Sequence, residues 1–142
     1  MAALALAWSI GAAAAADESA RILEHNGQWE LAYGLVYYRV FGKVTNASKE
    51  PLKYVKLEIE LLDKDGKPVL SRVAYNQKAE GLAEEETEGY VQTKSFEERL
   101  AETPPLGAGE EDLFRVGIAK DDIPKNPKFR TYRVRIVEAQ KK

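Results

Sequence analysis

Few side chains in this sequence can do chemistry, and their spacing limits what that chemistry is. The 142 residues contain no cysteine and one histidine, His25, beside Asn26-Gly27. Disulfides, thiol nucleophiles and the Cys/His sets that hold zinc are therefore excluded. A serine triad would have to rely on that single imidazole as its base. Paired carboxylates stand at Asp63/Asp65 and Asp121/Asp122. Both pairs lie in turn-forming sequence, where aspartate serves local hydrogen bonds rather than acid-base transfer. Gly107-Ala108-Gly109 lacks the lysine and the following helix of a phosphate cradle. The expectation is a non-catalytic protein without a cofactor or a bound metal centre.

Two sets of residues remain as binding candidates. On the stretch Val36–Asn46, period-two alternation puts Val36, Tyr38, Val40 and Val44 on one face. Tyr37, Arg39, Phe41 and Lys43 share the other face, where aromatic and cationic side chains together would make a protein-docking patch. If residues 17–35 form a hairpin that packs on the sandwich, Trp29 and Tyr33 would cover that patch, and this is the arrangement expected. The second set is acidic. Asp63 and Asp65 begin something like a calcium loop without its terminal glutamate, and Glu84 and Glu86 belong to a glutamate cluster. They support an alternative reading as a module for a small ligand or a divalent cation.

The elements that must position these residues are mostly strands. Val55, Leu57, Ile59 and Leu61 alternate with Lys56, Glu58 and Glu60, and the turn residues 63–68 allow Val69–Tyr75 to return antiparallel. Phe114, Val116 and Ile118 mark a further strand, as do Tyr132, Val134 and Ile136, with Pro124 and Pro127 in the loop between. Arg21–His25 and Gln28–Ala32 flank Asn26-Gly27, a strong hairpin signal. The count is about seven strands, and no crossover helices are present to support a parallel sheet. The fold class is all-β, an antiparallel sandwich of immunoglobulin-like type. One short helix is expected near residues 95–102, because Ser95 and Glu98 have capping-box spacing and Pro104-Pro105 ends it.

Charge is divided unevenly along the chain. Lys and Arg total 21 against 23 Asp and Glu, a formal net charge of −2. An acidic excursion over residues 80–112 holds eleven carboxylates against Lys94 and Arg99. Lys125, Lys128, Arg130, Arg133 and Arg135 lead into a basic tail at 139–142. No aromatics are interleaved with them on one face, so nucleic acid is not an expected partner. Those cations are expected to guard a sheet edge and to offset the acidic excursion. Asn46-Ala47-Ser48 matches a glycosylation acceptor, although Asn46 also has a turn role.

Residues 1–16, MAALALAWSIGAAAAA, read as a secretory leader with an Ala-x-Ala cleavage site, although no Lys or Arg precedes Arg21. The apolar run is shorter than the roughly 20 residues that span a bilayer. The chain is expected to be exported, periplasmic or extracellular, with no stable membrane insertion after leader cleavage.

Phe41-Gly42-Lys43-Val44-Thr45-Asn46, Pro51-Leu52, Val55 and Ile59-Glu60-Leu61-Leu62-Asp63 with Gly66, followed by Leu106-Gly107-Ala108-Gly109-Glu110 and Phe114, resemble the FxLYD domain. Ile59 stands where that family has its phenylalanine and Leu62 where it has its tyrosine. The resemblance spans Val36 to Val137 and places an FxLYD-like sandwich at 36–138. It implies a bacterial exported module without catalytic residues that binds or scaffolds another envelope or extracellular protein.

Overall fold

The computed structural model describes residues 18–83 and 94–142. Six strands run in chain order: β1 (Ala20–Ala32), β2 (Leu35–Asn46), β3 (Leu52–Leu62), β4 (Pro68–Tyr75), β5 (Glu111–Ala119) and β6 (Thr131–Lys141). They form two antiparallel three-stranded sheets, β1-β2-β5 and β4-β3-β6. The fold is the all-β sandwich expected, with one short helix, α1 (Phe96–Glu102). Ser95 Oγ caps that helix by accepting from the Glu98 amide at 3.2 Å. Residues 139–141, expected as a tail, continue β6.

Six strands replace the seven expected because Asn26-Gly27 does not turn. Arg21–His25 and Gln28–Ala32 are one continuous strand, with Asn26 opposite Phe41 and Gly27 opposite Val40. Glycine serves close approach there. A Cβ on Gly27 would lie 2.4 Å from Tyr38 Oη and 2.8 Å from the Tyr132 ring. The reversal occurs instead at Tyr33-Gly34, where φ is 53° and 77°, the two positive values of a tight type I′ hairpin turn. The N-terminal hairpin thus consists of β1 and β2 and forms part of a sheet rather than a cover over it.

The core lies between the sheets and follows the alternation in the sequence. Val40 and Val44 from β2 meet Leu57, Ile59 and Leu61 from β3, with Phe114, Ile118, Val134 and Ile136 filling in from β5 and β6. Each fully buried side chain of this size contributes about 1.5–3 kcal/mol, so this group is the main source of cohesion. A second, smaller cluster lies on the other side of the β4-β3-β6 sheet. There Tyr54 and Tyr75 pack with Ala79, Leu82, Phe96 and Leu100 from the 3-10 turn at Gln77–Leu82 and from α1. The acidic excursion therefore supplies apolar packing as well as charge, and Leu106 within it is fully buried and bridges to Leu52.

Two buried asparagines tie down the end of the sandwich opposite the Tyr33-Gly34 turn. Asn46 Nδ2 donates to the carbonyls of Glu50 (2.8 Å) and Leu106 (3.0 Å), and its Oδ1 accepts from the amide and hydroxyl of Ser48. Asn76 Oδ1 accepts from the Val55 amide at 2.9 Å while its Nδ2 donates to Asp112 at 2.9 Å. Both residues are 0% exposed. Asn46 is thus a buried structural residue whose amide is already engaged, which leaves no accessible glycosylation acceptor at that position. Asn46→Ala is expected to cost about 2–3 kcal/mol, the loss of several buried hydrogen bonds. Urea denaturation checks this, and a midpoint unchanged from wild type would show that the clamp is dispensable.

Candidate functional site

Strand β2 presents Tyr37, Arg39, Phe41 and Lys43 on the outer face of the β1-β2-β5 sheet, as alternation requires, and all four are half-buried. The register sets their neighbours. Glu30 on β1 lies opposite Tyr37, while Arg115 on β5 lies opposite Phe41 and Leu113 opposite Lys43. Phe41, Leu113, Arg39, Arg115, Gln28 and Glu30 line a shallow depression of about 290 Å³, bounded on the β5 side by Gln77 and Glu80. A second depression of similar size adjoins it through Arg39, Glu80 and Arg115, reaching Val73 and Tyr75 at the β4 edge.

Three cations on this face have their own counter-ions. Arg39 Nε is 2.6 Å from Glu30, Lys43 Nζ is 3.7 Å from Glu111, and Arg115 Nε is 3.2 Å from Glu80. Such half-exposed pairs add little to stability. They do leave the face nearly neutral, with apolar surface from Phe41, Tyr37 and the 51%-exposed Leu113 between them. Recognition here would depend on shape and apolar contact more than on net charge.

The cover expected from Trp29 and Tyr33 is not present. Trp29 lies opposite Tyr38, so the pleat turns it to the other face of the sheet, where its ring meets Tyr38 at 5.1 Å and Phe129 at 6.1 Å. Tyr33 projects fully exposed from the turn. Alternation alone implies the outward placement of Tyr37 and Phe41, whereas Glu30, Glu80 and Leu113 join the site through strand register and were not singled out from sequence. An apolar residue at the outward-facing position Leu113, adjacent to the core residue Phe114, was the available signal.

The acidic candidates divide. Glu84 and Glu86 lie outside the described residues. Asp63 Oδ1 accepts from the amides of Asp65 (2.8 Å) and Lys67 (2.9 Å), closing the β3–β4 turn in which Gly66 takes a φ of 79°. Its carboxylate is occupied by backbone donors, and among the described residues no three acidic or histidine side chains converge as a metal site. His25 Nδ1 lies 2.8 Å from Tyr132 Oη, and burial raises the pKa of that phenol and keeps it protonated. Arg133 and Arg135 point outward from β6, an edge strand of its sheet, as expected of alternate residues, and both reach carboxylates of β3. Arg133 forks onto Glu60 through Nε (2.9 Å) and Nη2 (2.6 Å), and Arg135 bonds Glu58 on the same neighbouring strand. The hydrogen bond to Glu58 is the chief cause holding the Arg135 guanidinium above its usual pKa.

Comparison of the chain with protein-family models, with curated proteins and with solved structures finds no match in any of the three. Among the described residues no helix is long and apolar enough to cross a membrane.

The turn and one further carboxylate predict an acid dependence. Backbone hydrogen bonding, chiefly from Lys67, holds the Asp63 carboxyl below its usual range, and the Lys78 side chain does the same for Glu110. A carboxylate depressed in the folded state contributes stability above its unfolded pKa and loses it as pH falls through the folded value. Urea midpoints are expected to decline from about pH 5 to about pH 2. Asp63→Asn, which keeps a carbonyl acceptor without the charge, should flatten part of that decline. Superimposable pH profiles for the two proteins would show that the Asp63 charge contributes nothing.

Proposed function

We propose that this chain is a non-catalytic, exported β-sandwich module of the FxLYD type that binds another envelope or extracellular protein on the outer face of β1-β2-β5. The observation that carries the reading is the half-exposed apolar strip of Tyr37, Phe41 and Leu113, set among three ion pairs. An apolar centre with a polar rim is the usual anatomy of a protein interface. Phe41 is the anchor, because it sits mid-strand between Asn26 and Arg115 and lines the depression. The leader-like residues 1–16 support the export part of this reading. The non-catalytic reading is supported by His25 being engaged with Tyr132 and by Asp63 being engaged with its own turn.

A photo-crosslinking amino acid placed at Leu113 of the full chain, in its native envelope or culture fluid, tests the face directly. A discrete adduct is expected from position 113, absent when the crosslinker stands at Val137 on β6, and lost from position 113 in a folded Tyr37→Ala/Phe41→Glu background. Equal adducts from both positions, or an adduct from 113 that survives the double substitution, would reject this face as the docking site.

A further inference from the structure

The β1–β2 hairpin extends past the rest of its sheet. Strand β5 stops pairing with β2 at Tyr37, so Leu31 to Val36 continue as a two-stranded ribbon that projects about 10 Å at ordinary strand rise. The projecting part is apolar all round. Leu31 is 74% exposed and Tyr33 101%, and Leu35 and Val36 are exposed as well. Leu31 and Val36 are partners on one face, Leu35 lies on the opposite face, and Tyr33 stands at the apex. A groove on a protein covers one face of a ribbon. A wedge apolar on both faces fits a solvent that surrounds it.

Charge near the base of the wedge indicates what that solvent is. The loop between β5 and β6 packs there through Phe129, whose ring lies 4.7 Å from Tyr38 and 6.1 Å from Trp29. The connection from Lys120 to Arg130 carries four exposed cations, Lys120, Lys125, Lys128 and Arg130, against two exposed carboxylates, Asp121 and Asp122, a net charge of +2, with the stretch from Pro124 onward wholly basic. The Arg130 amide bonds the Leu62 carbonyl at the end of β3, which fixes the basic loop at the same end of the sandwich as the hairpin tip. Lipid headgroups that are anionic attract such cations, while aromatic rings with a polar end favour the boundary between headgroups and acyl chains.

We propose that the β1–β2 hairpin tip is a membrane-surface anchor, inserting Leu31, Tyr33 and Leu35 into the interface of an anionic bilayer while Lys125, Lys128 and Arg130 face the headgroups. The contact is shallow and reversible, the behaviour of an element lying in the interface and not of a span. It is independent of the docking face proposed above, since it uses the end of the ribbon and not the outer face of the sheet. Trp29, half exposed on the ribbon just below the tip, is a built-in reporter.

The experiment uses the full chain carrying Trp8→Phe, so that Trp29 is the sole tryptophan, with phosphatidylcholine vesicles that contain or lack phosphatidylglycerol. Binding to the anionic vesicles is expected, with a blue shift of Trp29 emission and its quenching by brominated acyl chains. Leu31→Glu/Leu35→Glu, whose exposed positions leave the core intact, should weaken binding at least about tenfold. Lys125→Glu/Lys128→Glu or added salt should weaken it several-fold. The proposal is overturned by equal binding to neutral vesicles, by vesicle binding that the hairpin variant retains with Trp29 unquenched, or by no binding at all. A dimer in sedimentation that Leu31→Glu/Leu35→Glu dissolves, without vesicle binding by the wild type, would assign the tip to a second copy instead.

Discussion

Two buried asparagines set the frame on which the rest of the sandwich depends. Each sheet has only three strands, so each has two edges, and apolar contact alone would let the sheets slide. Asn46 ends β2 and Asn76 follows β4, and each spends its side-chain amide on groups from other segments of the chain. Asn46 joins the β2–β3 connection to the strand-like residue Leu106. Asn76 joins β3 to Asp112 at the start of β5, across the seam between the sheets. Because buried amides are costly unless satisfied, these bonds specify one alignment of the sheets rather than merely adding cohesion.

With the sheets held in that alignment, their outer faces have opposite characters. On β4-β3-β6 most of the outer surface is covered. Arg133 and Arg135 lie across Glu60 and Glu58, with the Arg133–Glu60 side chains only 15% and 7% exposed. Tyr54 and Tyr75 lie beneath α1 and the 3-10 turn, which leaves Val73 on β4 as the exposed apolar residue beside Glu58. On β1-β2-β5 Phe41 stays half-exposed in a depression edged by Gln77 and Glu80, beside the ion pairs of Arg39 and Lys43. This asymmetry is the reason the β1-β2-β5 face is the one proposed for docking.

Much of the architecture was legible because burial in a sandwich is a period-two property. Val55 to Leu61 and Val36 to Val44 carry their own facing, and the Ser95–Glu98 spacing and the Asp63–Gly66 turn carry their own local hydrogen bonds. The Asn26-Gly27 dipeptide was misleading for a physical reason. Asparagine-glycine favours a reversal only when nothing else needs the glycine, and here the Tyr38 and Tyr132 rings need its missing Cβ. With that turn absent, Trp29 takes the inner face, so its expected role as a cover over Phe41 disappears with the expected hairpin.

The amino-acid sequence by itself determined the strand faces, the hairpin β3–β4, the short capped helix and the chain's inability to build a cysteine or multi-histidine site. All of these depend on residue type and on spacings within a few positions. Tertiary structure alone decided which strands neighbour one another, that Glu30 and Glu80 would neutralise Arg39 and Arg115, and that Leu31, Tyr33 and Leu35 would stand clear of the sheet. Those outcomes depend on register and on where one strand stops pairing before another, which contacts between residues far apart in the chain set and local preference does not encode.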